Sequence, residues 1–287
     1  MKVAVIGGTG KMGRWFADFL KKNGVDVLVI GRNEQKLEEI KKELGVDTST
    51  MFTAVKDADA VVLSVTIDNF EPVVTELKTH LIPGQVVLDV TSVKTGPVAA
   101  MHRHLKRASV LGTHPIFGPG AKDLNNKNFV LTPTNDAERD LAGKVEKYLE
   151  KHGARVTVMS PEEHDEMMAV VLGLAHFVGL VAAETLVGFG KLKPMANVGG
   201  GTYKLLLTLA ESVVSEDADF YASLQMNMPG AIAIEEAFQK STKLWADMIK
   251  NKDRKKFAQR MTSLRNAMEK SDPNFRKAYE NMYKIMD

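Results

Sequence analysis

Residues 2–13 read Lys2-Val3-Ala4-Val5-Ile6-Gly7-Gly8-Thr9-Gly10-Lys11-Met12-Gly13. An apolar run of strand length ends in glycines and passes directly into an amphipathic stretch. Gly8, Gly10 and Gly13 fall in a G-x-G-x-x-G spacing. That pattern is weak alone but informative after a strand and before a helix. Gly8 would serve the tight turn, Gly10 would let the backbone approach a pyrophosphate, and Gly13 would let the helix lie close to the sheet. The helix N-terminus then offers its N–H groups to the phosphates. This reading assigns Gly8, Thr9, Gly10, Lys11, Met12 and Gly13 to dinucleotide binding. The plain alternative is a tight structural turn.

Working outward, short apolar runs alternate with amphipathic stretches. Strands are expected at Lys2–Ile6, Asp26–Ile30, 60–65, 85–90, 109–112, Asn128–Thr132 and 155–159. Helices are expected at 12–23, Glu34–Leu44, 70–80 and 137–152. Such alternation predicts an α/β fold, a Rossmann-type doubly wound parallel sheet covered on both faces. The runs at 60–65 and 85–90 are apolar enough for strands buried on both sides. The pattern changes after Pro161. Ser160-Pro161-Glu162-Glu163 is a helix start, with an N-cap serine, proline in the first turn and a capping-box glutamate. Only helices are expected beyond it, broken near 188–201, Pro229 and Pro273. The expected domains are 1–160, dinucleotide-binding, and 161–287, all-α.

Composition narrows the function. The 287 residues include 38 Lys and Arg against 36 Asp and Glu, a net charge of +2. That balance argues against nucleic acid as the main partner. The basic run at 250–256 has no interleaved aromatic until Phe257. Residues 161–239 carry a net −8 and residues 240–287 a net +7. These blocks can pack on each other or across a dimer, or be solvated helix faces. The chain has no cysteine, which excludes disulfides, thiolate metal sites and cysteine nucleophiles and fits a cytoplasmic protein. The N-terminus lacks the features of a secretory signal peptide. The longest apolar run, 169–183, contains His176 and is shorter than the roughly 20 residues a span needs. It is expected to be a buried core helix, with no membrane partner.

The second strand ends Ile30-Gly31-Arg32-Asn33, with no acid for the ribose hydroxyls. Arg32 can pair with a 2′-phosphate and Lys36 adds charge one turn later, which favours NADP over NAD. Asn33 completes the expected cofactor set. The alternative for Arg32 is a solvated surface arginine. Of seven histidines, His80, His102, His104 and His152 read as surface residues, and no H-E-x-x-H pattern occurs, so no metal is expected. His114 is expected at the end of a strand, in a loop stiffened by Pro115 and Pro119, where open parallel sheets hold ligands. A neutral imidazole there can take a hydroxyl proton as hydride leaves; a structural histidine fits equally. His176, alone among apolar residues, reads as a core histidine or a donor to a substrate oxygen. His164, beside Asp165, reads as a cap or a hinge residue.

Taken in order, several motifs resemble the prephenate dehydrogenase family of tyrosine biosynthesis. They are the glycine loop, Asp89-Val90-Thr91-Ser92-Val93-Lys94, Gly112-Thr113-His114-Pro115-Ile116-Phe117-Gly118-Pro119, Glu163-His164-Asp165, Leu174-Ala175-His176, and Phe220-Tyr221-Ala222-Ser223-Leu224-Gln225-Met226. The resemblance implies a homodimeric NAD(P)-dependent oxidoreductase that decarboxylates prephenate oxidatively to 4-hydroxyphenylpyruvate. It implies that His114 takes the ring-hydroxyl proton, that Ser92 orients His114 and the hydroxyl, and that His176, Lys204 and Tyr221 contact substrate. Tyrosine feedback is possible in such a family, but no appended regulatory domain is expected in this length.

One departure stands out. The arginine that family members use for a substrate carboxylate falls on Ser212, and Lys191, Lys193 and Lys204 are the only basic residues in 161–239. Lys204, a cation from a second subunit, or a different substrate would account for it. Arogenate is the nearest alternative substrate. β-Hydroxyacid dehydrogenases share the shape but use a lysine on the first long helix of the second domain, and 161–190 contains none. A non-catalytic NADP-binding sensor would keep the glycines but has no need of Ser92 and His114.

Overall fold

The computed structural model describes residues 1–286. They divide into two compact units: residues 1–168 with 223–229, and residues 169–222 with those from 230 onward.

The first unit contains β1 (Lys2–Ile6), α1 (Lys11–Lys22), β2 (Asp26–Ile30), α2 (Glu34–Leu44), β3 (Asp47–Ser49), β4 (Ala60–Leu63), α3 (Ile67–Leu77), β5 (Val86–Asp89), α4 (Thr95–His104), β6 (Ser109–Ile116), β7 (Asn128–Thr132), α5 (Asp136–Lys151), β8 (Arg155–Val158) and α6 (Pro161–Met168). The strands form one eight-stranded sheet in the order β3-β2-β1-β4-β5-β6-β7-β8. The first six strands are parallel. β7 runs antiparallel to β6, and β8 is parallel to β7. The strand order reverses between β1 and β4, where Ile6 is in register with both Ile30 and Leu63. This switch point is where doubly wound sheets bind their ligands.

Alternation along the strands explains the continuous apolar runs. Ala4, Ile6, Leu28 and Ile30 face a core completed by Phe70, Val74, Leu77 and Met101 from α3 and α4. Val3, Val5, Val27 and Val29 face the opposite core, with Ala17, Leu20, Leu37 and Ile40 from α1 and α2. Leu63 and Leu77 are fully buried, so truncating either to alanine costs about 2–5 kcal/mol.

Three expectations change. β6 continues to Ile116, so His114 lies inside a strand and not in a loop. β5 pairs with β6 only as far as Gly112. Beyond that point β6 has β7 on one side only, an edge position where a strand tolerates Pro115. β3 and α4 were not expected; α4 opens with Thr95-Gly96-Pro97, a weak helix signal by propensity. Finally, the four surface histidines are half-buried. His102 pairs with the buried Glu138, His104 with Glu71, His80 stacks on Phe52, and His152 bonds the Tyr148 carbonyl.

The second unit follows a π-helical segment at Ala169–Leu174 and consists of helices. They are α7 (Ala175–Phe189), α8 (Leu192–Val198), α9 (Gly201–Val214), α10 (Ala218–Asn227), α11 (Ala231–Lys250), α12 (Arg254–Ser271) and α13 (Ala278–Met286). The last turn of α10 and the turn after it group with the first unit. α7 and α9 cross closely at Gly179, where an added Cβ would sit 2.7 Å from Val213 Cγ2. The run expected to be a buried core helix, 169–183, is mostly buried or half-buried, with Val170, Val171, Leu180 and Val181 exposed. Pro161–Phe189 is a 29-residue helix, apolar and long enough to cross a membrane, and only 11% of its most apolar stretch is buried. Its exposed apolar side chains include Leu180, Val181, Val187 and Phe189 toward its C-terminal end.

Candidate active site

The glycine loop meets the phosphate-site requirements, with one change of role. The positive φ of the turn belongs to Gly7 (78°), not Gly8. At Gly8 an added Cβ would lie 2.6 Å from Val29 Cγ1. At Gly13 it would lie 2.4 Å from the Gly7 carbonyl oxygen, which is the close helix–loop approach expected of that position. Gly10 is the N-cap of α1 and supplies no side-chain cap, and the first turn carries no acid. Among the described residues, the amides of Met12 and Gly13 have no main-chain acceptor. The helix start thus stays open to an anion, and a dinucleotide pyrophosphate fits these residues. Thr9 packs against Gly31 at the end of β2, and the Met12 side chain packs into the core. Lys11, Arg32, Asn33 and Lys36 are exposed. Asn33 Oδ1 is already engaged as the cap of α2, accepting from the Lys36 amide at 2.9 Å.

The second feature lies at the C-terminal ends of β5 and β6. His114 is 4% exposed and His164 fully buried. His114 Nδ1 is 2.8 Å from His164 Nε2, and His164 Nδ1 is 2.8 Å from Asp165 Oδ1. The capping box at the head of α6 sets this up. Ser160 Oγ accepts from the Glu163 amide, and the Glu163 carboxylate accepts from the Ser160 amide at 2.9 Å. The helix therefore starts in register to present His164 and Asp165 from its first turns.

Asp165 also caps α4 from outside. It accepts from the Lys94 amide (2.7 Å), the Thr95 amide (2.9 Å) and Thr95 Oγ1 (2.6 Å). Burial pulls its carboxyl upward, but the bonds from His164, Thr95 and Lys94 prevail and hold it below the ordinary aspartate value. With Asp165 ionised, His164 donates from Nδ1 and accepts at Nε2. His114 then donates from Nδ1, leaving Nε2 as a lone-pair acceptor. That nitrogen makes no hydrogen bond within the described residues. Burial first, then the charge of Lys94 and the neighbouring His164, hold the His114 imidazole well below its usual range. His114 is therefore neutral at pH 7, the state a general base needs.

Around this relay lies a buried polar knot. Lys94 Nζ bonds Asp89, Thr91 Oγ1 (3.2 Å) and the Thr113 carbonyl (2.6 Å). Both Lys94 and Asp89 are fully buried. Ser92 is half-buried, and no hydrogen bond joins it to His114; the bonding partner of His114 is His164. The sequence reading singled out neither this relay nor Lys94. Its signals were the Asp89–Lys94 and Glu163-His164-Asp165 motifs, quoted without these roles.

In the second unit, His176 is half-buried and its ring lies 4.9 Å from that of Tyr221. Its Nδ1 is buried without a partner, and burial lowers its pKa. A hydrogen-bonded core histidine does not match that environment. Lys204 is exposed on α9 and makes no ion pair among the described residues. Ser212 is exposed, and its hydroxyl donates to the Leu209 carbonyl.

Comparison with known proteins agrees with this geometry. Residues 16–158 match the family model for the prephenate dehydrogenase nucleotide-binding domain, and residues 160–263 match that for the prephenate dehydrogenase dimerization domain. The chain is 35% identical over 265 residues to a probable arogenate/prephenate dehydrogenase of Methanocaldococcus jannaschii, covering 91% of this chain and 59% of that one. It is 26% identical to the T-protein of Haemophilus influenzae, covering 89% and 64%. The chain thus spans about three-fifths of the length of the curated relatives it matches. Its fold resembles that of A. aeolicus prephenate dehydrogenase, solved with hydroxyphenyl propionate and NAD+ (TM-score 0.76, 24% identity, 95% and 98% coverage). It also resembles Synechocystis arogenate dehydrogenase (TM-score 0.72, 20% identity, 95% and 100% coverage). Two consecutive family matches, a relative aligned along nearly the whole chain, and a histidine relay at the strand ends lead to one conclusion: the chain belongs to the prephenate dehydrogenase family.

Proposed function

We propose that this protein oxidatively decarboxylates prephenate to 4-hydroxyphenylpyruvate, with His114 as the general base. The observation that carries the reading is the His114–His164–Asp165 relay, which leaves a neutral imidazole with Nε2 ready to accept. His114 takes the ring-hydroxyl proton while the hydrogen on the same carbon departs with its electron pair. A bound nicotinamide dinucleotide supplies the acceptor for that hydride. The ring carboxylate then leaves as CO2, its electrons make the ring aromatic, and the proton returns to the phenolic oxygen. Ser92, two residues before Lys94, whose amide bonds Asp165, is proposed to contact the substrate hydroxyl. His176, Tyr221 and Lys204 are proposed as substrate contacts, supported for His176 by its orphaned buried Nδ1. Residues 1–160 act as the dinucleotide domain and 161–287 as the substrate and dimerisation domain of a cytoplasmic homodimer.

Gly8, Thr9, Gly10, Lys11, Met12 and Gly13 would hold the pyrophosphate, with Arg32, Asn33 and Lys36 at the adenosine end. The exposed, uncommitted guanidinium of Arg32 after β2 favours NADP. Because serine stands at position 212, arogenate is the second substrate to try. The test is absorbance at 340 nm with prephenate or arogenate and NADP or NAD, in the parent and in Arg32→Asp. Reduction with prephenate supports the reading, and a preference for NADP that inverts in Arg32→Asp supports the cofactor assignment. Reduction with arogenate alone moves the substrate and keeps the mechanism. No reduction with any pair overturns the reaction, and an unchanged preference overturns the role of Arg32.

A further inference from the structure

Lys94 is the largest fully buried side chain among the described residues, and the reaction above makes no use of it. A buried ammonium is a costly choice. An apolar side chain of similar volume often serves stability as well or better, so its presence calls for a reason beyond packing. Its contacts supply one. The ammonium holds the Thr113 carbonyl at 2.6 Å, on the residue immediately before His114. The main-chain amide of Lys94 donates to Asp165 Oδ1 at 2.7 Å, on the carboxylate that ends the relay. One residue therefore grips the array at both ends. Asp89 and Thr91 fix the ammonium in turn, and the Thr113 hydroxyl donates to the Asp89 carbonyl at 2.6 Å, tying β6 to β5.

We propose that Lys94 is a positioning residue that spans the His114–His164–Asp165 relay, fixing the strand that carries His114 and the carboxylate that orients His164 in one frame. The charged and titratable groups around it are Asp89 on β5, His114 on β6, and His164 and Asp165 on α6; β7 presents the apolar Val130 opposite His114. Within this set the lysine cation is the charge that opposes protonation of His114, after burial itself. It therefore serves geometry and protonation state together. The proposal rests on His114 acting as base, and its test is chosen to be separable from that reading.

The experiment uses Lys94→Met in the full chain, with Asp89→Asn/Lys94→Met as a second variant that leaves no unpaired buried charge. Two quantities are read: the acid limb of kcat/KM for prephenate with NADP, and the protonation midpoint of the His114 imidazole by NMR without substrate. We expect kcat/KM to fall about 10²-fold, the size of effect a small misplacement of a catalytic group produces. We also expect both the acid limb and the midpoint to move up by about half a pH unit or more. A lysine that served only stability would lower the folded fraction and leave both titrations where they were. A His114 midpoint unchanged in the folded variants overturns the proposal, as does a kcat/KM within about twofold of the parent. If the parent turns over neither prephenate nor arogenate, the reaction assignment fails. The NMR midpoint still judges Lys94 alone.

Discussion

His114 concentrates the chemistry, and two properties of its surroundings make separate measurements possible. Its Nδ1 is committed to His164, so replacement by asparagine removes the acceptor while leaving a side chain that can still bond His164. His114→Asn should lose about 10²–10⁴-fold in turnover with little change in NADP affinity, read by steady-state kinetics and by titration of cofactor fluorescence. Surviving activity would remove His114 from the role of base. The second property is its depressed pKa. The unfolded chain takes up a proton near the ordinary histidine value of about 6.5, whereas the folded protein resists until lower pH. Between those two values the unfolded state binds more protons, so stability falls as pH drops below about 6.5. His176 acts in the same sense. Asp165, held below its usual value, keeps its contribution down to about 3.8 and loses it only below that, as pH falls toward its lowered folded value. Thermal melts from pH 7.5 to 5 should show this loss, and His114→Asn should flatten it by up to about 1.4 kcal/mol per pH unit. At this scale the sequence was half legible. His114 stood out because it follows an apolar run and two prolines, Pro115 and Pro119, come shortly after it. The partners that define its tautomer lie 50 residues away, and in local sequence His164 and Asp165 look no different from the first turn of any capped helix.

At the scale of elements, the glycine loop shows how space alone can discriminate between residues of one type. Gly13→Ala would force a Cβ to within 2.4 Å of the Gly7 carbonyl, a rigid main-chain atom, whereas at Gly10 the nearest atom lies 3.3 Å away. Overpacking of the first kind costs about 1–3 kcal/mol or more. Gly13→Ala should therefore lower the urea midpoint and weaken dinucleotide binding. Gly10→Ala should fold almost as well as the parent yet still bind dinucleotide less tightly, because the added methyl stands where a phosphate must approach. Urea titration and calorimetry on the two variants separate the cases, and equal stability losses would show that Gly10 is also a packing position. Elements were legible where one period dominated, as in β1, β2 and α2. They were not legible where tertiary context prevailed. β6 runs past its pairing with β5 because β7 supplies the partner. α4 forms behind Gly96 and Pro97 because Asp165, from a distant helix, caps it. Gly8 sits inside the expected turn, which the Gly10 amide closes on the Gly7 carbonyl at 3.0 Å, while the positive φ falls on Gly7, a glycine outside the G-x-G-x-x-G spacing.

At the scale of the whole molecule, the largest feature without an account inside one chain is apolar surface. Leu180, Val181, Val187 and Phe189 on α7 are each more than a third exposed, as are Leu206 and Val214 on α9 and Phe220 on α10. Monomeric soluble proteins rarely leave contiguous apolar patches of that extent uncovered. The dimer was expected from the family resemblance, but its surface was not, because a 15-residue apolar run fits a buried helix as well as an interface helix; periodicity distinguishes neither when apolar residues occur all around the helix. The matched dimerization domain spans this region, and a second copy of the chain would cover it. α12, a basic helix, also exposes Met261, Leu264 and Met268 and buries no residue. The prediction is a dimer in detergent-free buffer, measured by sedimentation equilibrium. Val181→Asp and Phe189→Asp should raise its dissociation constant by at least about tenfold each, because every buried apolar side chain lost to water removes about 1.5–3 kcal/mol. If the interface is also needed to order the helices that carry His176 and Tyr221, dilution below the dissociation constant should raise KM for prephenate before it lowers NADP binding, since the glycine loop belongs to the other unit. A parent protein that sediments as a monomer at all concentrations, or that requires detergent to stay in solution, would reject the dimer. It would leave the apolar helix, 29 residues long, to be covered by a different partner or by lipid.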